Sequence, residues 1–460
     1  MKITLVNPPY PPSVHSHPPF IPLGLAYLGA VAEKAGHKVT VIDCQAERLN
    51  YDTFRTRIAE TSSDLIGATA TTLLYKSAMK LITIAKEAQP NAVTALGGSH
   101  GTFWDENALK EYHALDIVVR REGEETLLEL AEKLESQSSL KGVLGITYRE
   151  VEKIVRNPDR PFIQDLDALP FPAHHLLPLE KLRHNGKILF PLVSSRGCVY
   201  WCDFCSTVRM FGRGYRMRSA KNVVDEMQYI HDTYGVDQVT FYDDAFSVDR
   251  NRVLEICSEL HKRNLKLMWD CGTRVDMVDH ELMKTMKDAG CIAVWLGVES
   301  GSELILGKMN KSIKLEQTRK AYKTAHQVGL MTIANVVLGF PGETEQTAKE
   351  TIKFVSSLNP EDVGFYIATP YPGTPMYDEV VKNGWLRVTD FDRYDTAGPT
   401  FETPQLSMEK LAELRAKAYK HFYLRPGYVL HMMRLGGTYG KSAVKTSGAY
   451  LLRALHLNYW

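Results

Sequence analysis

Over the first 135 residues, apolar and polar positions alternate in two registers. Short β-branched runs, KITLVN, KVTVID, LIGATAT, AVTALGG and DIVVRR, are separated by amphipathic stretches such as Leu23 to Gly36 and Tyr75 to Gln89. Short apolar runs bounded by turn residues predict buried strands, and helical spacing predicts the segments between them; strand then helix, repeated, predicts a doubly wound parallel α/β sheet of the Rossmann-like kind. Gly142 to Pro158 reads as a hairpin, and the Pro-rich LPFPAHHLLP after it reads as a linker. From Ile188 the alternation restarts in ILFPLVS, QVTFYDD, LKLMWDC, IAVWLGV, TIANVVLGF and VGFYIAT. Six such units predict a partial (β/α)6 barrel, because the chain has too few residues left for two more. Beyond Tyr377 the pattern turns helical, with a helix expected from Met408 to Tyr423 and a break at Gly436 and Gly437. The expected division is therefore 1–140 for the doubly wound domain, 141–187 for hairpin and linker, 188–380 for the barrel and 381–460 for a helical C-terminal region.

The 460 residues suffice for two or three domains, and 44% apolar with 24% charged positions excludes a disordered chain. Lys and Arg total 55 against 54 Asp and Glu, a net charge of +1, so no nucleic-acid partner is expected. The N-terminus MKITLVNPPY lacks an apolar signal region, and the uncharged stretch Ile21 to Ala32 falls short of the roughly 20 residues a membrane span needs. The expectation is a soluble cytoplasmic protein without a transmembrane segment.

A doubly wound sheet binds ligands at the carboxyl ends of its strands, which directs attention to Asn7-Pro8-Pro9, Thr71-Thr72-Leu73, Gly97-Gly98-Ser99-His100 and Arg121-Glu122-Gly123-Glu124. Gly97 and Gly98 would let a bulky ligand approach the backbone.

The most specific feature follows the first strand of the second half: Ser195-Arg196-Gly197-Cys198-Val199-Tyr200-Trp201-Cys202-Asp203-Phe204-Cys205. Three thiolates spaced CxxxCxxC in one loop can hold three irons of a [4Fe-4S] cluster and leave the fourth open. A closed zinc site needs a fourth ligand, usually from a second CxxC or HxxxH pair, and none follows. Tyr200, Trp201 and Phe204 fit an apolar shell around such a cluster. The other cysteines, Cys44, Cys257, Cys271 and Cys291, are scattered singles rather than a disulfide framework.

CxxxCxxC after the first strand of an incomplete barrel resembles the radical S-adenosylmethionine (SAM) superfamily. Further matches stand in order: Tyr215 to Ser219, Tyr242-Asp243-Asp244-Ala245-Phe246, Gly297 to Ser302, Leu338 to Glu343 and Thr369 to Thr374. The resemblance implies Cys198, Cys202 and Cys205 as cluster ligands and SAM on the open iron. It also implies Asp243 or Asp244 as acceptors for the methionine amino group, Arg274 as partner of its carboxylate, Glu299 and Ser300 near ribose or carboxylate, and the backbone from Gly339 to Gly342 against adenine. A ferredoxin or flavodoxin would supply the electron.

The N-terminal half is similar to the cobalamin-binding domain of class B radical SAM enzymes, through Asn7-Pro8-Pro9, Pro22-Leu23-Gly24-Leu25-Ala26-Tyr27-Leu28, Gly97 to His100 and Glu122-Gly123-Glu124. The DxHxxG signature that supplies a His to cobalt is missing, since Asp43 is followed by Cys44-Gln45-Ala46. The resemblance then implies a cobalt without a lower His ligand, with Leu73, Leu74 or Tyr75 nearest its lower face and His100 against the nucleotide tail. Methylation of an unactivated sp3 carbon is the implied reaction, with Tyr242, Trp295, Tyr366 and Tyr371 lining the substrate cavity. Ring closure or rearrangement shares every motif, and a non-catalytic cobalamin carrier is the third reading. Length and layout also resemble the glutamine C-methyltransferases acting on methyl-coenzyme M reductase, which makes a protein or peptide substrate an expectation.

Overall fold

The computed structural model of the chain describes residues 1–12, 14, 20–183 and 188–428. The first sheet has the order β2-β1-β3-β4-β5-β6-β7. Its strands are β1 (Lys2–Asn7), β2 (Lys38–Asp43), β3 (Leu65–Thr69), β4 (Val93–Gly97), β5 (Ile117–Val119), β6 (Ile146–Glu150) and β7 (Lys153–Arg156). The first five run parallel, as the strand-then-helix pattern requires. β1 pairs with β2 on one side and β3 on the other, so successive connections leave on opposite faces and a crevice opens between the loops after β1 and β3.

The hairpin β6–β7, grouped with the linker by the sequence pattern, instead belongs to this sheet. β6 pairs antiparallel with β5, with Val118 opposite Thr147, and so covers an edge that would otherwise expose unpaired backbone.

The second sheet is all parallel in the order β15-β14-β13-β12-β11-β8. It comprises β8 (Phe190–Leu192), β11 (Gln238–Phe241), β12 (Met268–Thr273), β13 (Cys291–Glu299), β14 (Met331–Leu338) and β15 (Asp362–Ile367). Its helices start on local side-chain caps: Ser219 accepts from the Asn222 amide, Asp249 from Arg252 and Thr344 from Thr347. The period of two decides what faces inward. On β14, Thr332, Ala334, Val336 and Leu338 pack under the helices, while Ile333, Asn335 and Val337 face the lumen. Tyr242, Trp295 and Tyr366 lie on the same inner face and are 46%, 38% and 39% exposed, so the open barrel presents an aromatic wall.

A six-stranded barrel leaves a raw edge at β15. The helix Met408–Tyr423 covers it: the Tyr419 hydroxyl accepts from the Phe365 amide at 3.1 Å, Arg415 donates to the Phe365 carbonyl at 2.8 Å, and the Tyr423 hydroxyl donates to Asp362. The expected break at Gly436 and Gly437 and the terminal stretch from Ala443 lie outside the described residues. No helix among the described residues is long and apolar enough to cross a membrane.

Candidate functional site

Residues 197–215, which carry the cysteines, are closed at their base by an antiparallel ribbon, β9 (Ser195–Arg196) with β10 (Arg216–Met217). Gly197 has φ of +92°, and a Cβ there would collide with the Gly214 carbonyl, so glycine is required. Two backbone bonds anchor the loop to the barrel: the Asp203 amide to the Met309 carbonyl and the Met376 amide to the Asp203 carbonyl, both 3.0 Å. Phe204 packs against the apolar cluster that includes Met309 and Met376 and pins the loop from its apolar side.

Cys198, Cys202 and Cys205 are free thiols, each half-buried. Burial pushes the Cys202 thiol up to about 11 against the opposing pull of Lys311, and pushes Cys205 up against a 3.2 Å hydrogen bond with Thr207. Among the described residues no three His, Cys, Asp or Glu side chains converge on a single ion. A cubane asks for a different arrangement, one thiolate on each of three separate irons.

The carboxylates at the barrel's carboxyl end divide sharply. Asp243 is buried and accepts from the Ser194 amide at 2.8 Å, the Ser194 hydroxyl at 2.5 Å and the Ser195 amide at 2.6 Å. It braces the strand leading into the cysteines. Asp244, its neighbour, bonds Thr207 at 2.8 Å but opens to a cavity. Protein surrounding it raises its carboxyl above the ordinary range.

Arg274, expected to meet a carboxylate of SAM, is engaged inside the fold. It donates to Asp276 at 2.9 and 3.1 Å and to the Lys311 carbonyl at 2.8 Å, and it lies 3.4 Å over the Tyr200 ring of the cysteine loop. Glu299 is held by Lys311 at 2.6 Å, both buried. Burial alone would lower the Lys311 pKa, but Glu299 and Cys202 outweigh it. Ser300 bonds Thr351 at 3.1 Å within the core. A Cβ on Gly339 would run into Leu411 of the C-terminal helix, so that glycine makes room for the helix.

A cavity of about 360 Å³ joins the two halves of the chain. Its floor is the first sheet at Leu5, Gly67 and Ala95; its walls are Leu23 to Leu28 of the helix Leu23–Lys34 and Leu127 and Leu130 of the helix Glu124–Glu135. The far end reaches Ser195, Arg196, Tyr242 and Asp244 beside the cysteine loop. Gly97 and Gly98 line it, and a Cβ on Gly97 would meet nothing within 4 Å, so backbone is open to the cavity there. Gly98 is obligatory: with φ of +92°, a Cβ would come within 2.6 Å of the Ala70 carbonyl oxygen.

Glu122 lines the same cavity but is buried in an ionic network across the domain boundary. It accepts from Arg196 at 2.9 Å and from Arg216 at 2.8 Å, while Glu124 accepts from Arg196 at 2.6 Å. Burial opposes the charge on Arg196, yet Glu124 and Glu122 hold its pKa above the ordinary value. Arg196 and Arg216 belong to the ribbon that closes the cysteine loop, so this network fixes the loop against the first domain. The sequence reading saw the glutamates and missed the arginines, because nothing in a linear motif marks partners 74 and 94 residues away.

The remaining expected contacts lie elsewhere. Asn7 bonds Asp43 at 2.8 Å, the Pro8 carbonyl accepts from Gln45 at 2.8 Å, and Pro9 borders a separate cavity of about 260 Å³. Leu73 and Leu74 do not line the apolar cavity, and Tyr75 is buried with its hydroxyl on Glu111 at 2.8 Å. His100 packs 4.2 Å from the Tyr75 ring and 4.7 Å from Phe391, and burial holds its pKa down at about 3. These residues form the seat for the C-terminal segment around Phe391. Tyr371 donates to the Tyr394 carbonyl at 3.1 Å and is likewise a packing residue rather than a lumen residue.

Inside the barrel the structure adds Asp270. It accepts from Thr240 and from the Trp295 indole, each at 3.0 Å, and burial raises its carboxyl pKa. A lone Asp in the apolar strand LKLMWDC was the available signal.

A doubly wound sheet sharing a cavity with an open parallel barrel and its three-cysteine loop defines a two-domain cofactor protein. Residues 192–355 match the radical SAM superfamily and residues 14–131 match the B12 binding domain. The chain belongs to the radical SAM superfamily, in its B12-binding class. It is 36% identical to an uncharacterized methyltransferase of Pyrococcus horikoshii, over 93% of each chain. It is 31% identical to the anaerobic magnesium-protoporphyrin IX monomethyl ester cyclase of Rubrivivax gelatinosus, over 89% of this chain and 74% of that one. Among solved structures, the fold is similar to the methyltransferase TsrM of Kitasatospora setae with cobalamin and a [4Fe-4S] cluster bound, with TM-score 0.77, 19% identity and 99% of each chain covered.

Proposed function

We propose that this enzyme is a cobalamin-dependent radical SAM methyltransferase acting on an unactivated sp3 carbon. The observation that carries the reading is the single cavity running from the apolar slot of the first domain to Tyr242 and Asp244 beside the cysteine loop. The residues fit both groups: three free thiols in a closed loop for the cluster, and an apolar slot with open backbone at Gly97 for cobalamin. When bound, the cluster supplies the electron that cleaves SAM and the cobalamin supplies the transferable methyl group.

The chain's own part is placement. A substrate radical must meet its methyl donor before anything else, so the two cofactor seats have to be held at a fixed separation. Arg196 and Arg216 on the cysteine ribbon, paired with Glu122 and Glu124 of the first domain, hold it. Tyr242, Trp295 and Tyr366 wall the lumen, and Asp270 fixes the Trp295 indole. Hydrogen abstraction from an sp3 carbon needs no general base, and these residues position the substrate rather than exchange protons with it.

The proposed substrate is a protein or peptide side chain, for which the half-exposed lumen wall leaves access; a glutamine, as in methyl-coenzyme M reductase, is the specific form of this reading. A ferredoxin or flavodoxin is the proposed electron donor. A second reading, oxidative ring closure, is favoured by the identity to the cyclase. Anaerobic purification with cobalamin supplied, followed by iron, sulfide and cobalt counts and spectra with SAM and reductant, tests the proposal. About four irons and one cobalt per chain, with methylated cobalamin appearing, is the expected result. Iron without cobalt would remove methyl transfer.

A further inference from the structure

Beside the cysteine loop, lined in part by Trp201, lies a second cavity, of about 440 Å³, distinct in its chemistry from the apolar one. Arg120, Arg121 and Arg156 come to it from the first domain, and Arg209 and Arg213 from the segment following Cys205; Asp159 is the one carboxylate among its lining residues. Three carboxylates neutralise part of this charge: Asp159 pairs with Arg120 at 2.8 Å and Arg121 at 3.1 Å, Asp105 with Arg156 at 2.9 Å, and Asp378 with Arg209 at 3.4 Å. Asp203 of the loop also feels the Arg209 charge, so five guanidiniums stand against four carboxylates and one positive charge is left in excess. Among the described residues Arg213 forms no ion pair; its guanidinium lies 5.4 Å over the Trp201 ring.

Trp201 stands between Cys198 and Cys202 and is 41% exposed, and Val199 beside it is 42% exposed. Apolar side chains on the tip of a cluster-binding loop are costly to leave in water. A Trp stacked by Arg and rimmed by further Arg has the composition of a protein-binding hot spot, and the uncompensated charge steers an acidic partner.

From this we infer that Val199, Trp201, Arg209 and Arg213 form the docking surface for an acidic one-electron carrier protein of the ferredoxin or flavodoxin class. The inference rests on the proposed cluster chemistry. The step is the passage of one electron from the reduced carrier to the oxidised cluster; the carrier loses one electron, the cluster gains one, and no bond or proton moves.

The test uses the anaerobically purified holoenzyme. Binding of fluorescently labelled oxidised flavodoxin is titrated at several salt concentrations, and cluster bleaching is followed with reduced flavodoxin and, separately, with dithionite. Arg209→Glu and Arg213→Glu together should weaken flavodoxin binding by tenfold or more, flatten its salt dependence and slow bleaching by flavodoxin, while bleaching and SAM cleavage with dithionite stay at the wild-type rate. Val199→Ser, which keeps every charge, should weaken binding severalfold without changing the salt slope. Equal flavodoxin affinity in wild type and the double variant would overturn the assignment. So would loss of binding in a few millimolar phosphate at matched ionic strength, which would make the cavity a small-anion site. Failure of dithionite to support SAM cleavage in any variant, wild type included, would instead sink the cluster chemistry.

Discussion

The two proposed cofactor seats are built in opposite ways. The cysteine seat puts its three thiols within eight consecutive residues, Cys198 to Cys205, in a loop closed by a short ribbon and anchored from a distance by Met309, Met376 and Glu122. The apolar slot is assembled from four strands of the first sheet, the helices Leu23–Lys34 and Glu124–Glu135 and the barrel mouth, segments spread from Leu5 to Asp244. A contiguous seat places its chemistry in a readable string, because the ligands must be a few residues apart to reach one cluster. An assembled seat does not: its residues are ordinary Leu, Gly and Ala until the strands align.

The sharpest way to test that contrast is to empty one seat and ask about the other. Replacing Cys198, Cys202 and Cys205 by Ala should abolish iron-sulfur absorbance and SAM cleavage while cobalt content stays near that of the wild type; iron retained in the variant would remove the cluster assignment. Breaking the link between the seats comes next. Glu122→Ala leaves Arg196 and Arg216 buried without their shared partner, and loss of a buried partner typically costs about 3–5 kcal/mol. Chemical denaturation should show a loss of that size, whereas a residue that only touched cobalamin would leave the stability of the cobalamin-free protein unchanged.

Glu343 separates motif from role within the barrel. Burial raises its carboxyl from the ordinary 4.5 to about 8, with the Gly339 amide donating to it. Folded, it holds its proton between those values; unfolded, it ionises. The folded state then binds more protons, so stability falls as pH rises from 4.5 toward 8, with a limiting slope of about 1.4 kcal/mol per pH unit for one proton. Glu343→Gln should flatten that slope in denaturation curves taken across the range, and an unchanged slope would show the carboxyl to be ionised when folded.

Filling the slot is a milder perturbation. A Cβ at Gly67 would meet only Leu5, at 3.5 Å, so Gly67→Val should fold, retain its iron and lose cobalt severalfold by metal analysis. Wild-type cobalt content in this variant would move cobalamin out of the cavity. The smallest effect is expected at Tyr75→Phe, which removes the hydroxyl donated to Glu111 at about 1 kcal/mol. The visible spectrum of bound cobalamin should not change; a shifted spectrum would return Tyr75 to the neighbourhood of the cobalt.

Legibility followed the range of the interaction. The strands and helices of the two sheets, the helix Met408–Tyr423 and the cysteine loop stand where periodicity and spacing put them, since each element is specified by its own residues. Leu23, Gly97, Gly98, Tyr242 and Asp244 were found on the cavity because strand ends are where doubly wound folds and barrels expose side chains. Asp243, Arg274, Glu299, Ser300 and Gly339 carry family-like motifs yet face inward. Whether a strand-end carboxylate faces a cavity or a Ser amide depends on one step of the pleat, as Asp243 and Asp244 show side by side.

The amino-acid sequence by itself determined the α/β class, the two halves, the absence of a charge excess and the three thiols in one loop. These follow from periodicity, composition and short spacing, all properties of neighbouring residues. Only the tertiary structure decided that Glu122 meets Arg196 and Arg216, that Phe391 rather than a ligand covers His100 and Tyr75, and that one cavity serves both halves. Burial and pairing across 70 to 300 residues set those outcomes, because a charge or a ring is stabilised by what surrounds it in space and the chain order does not record that.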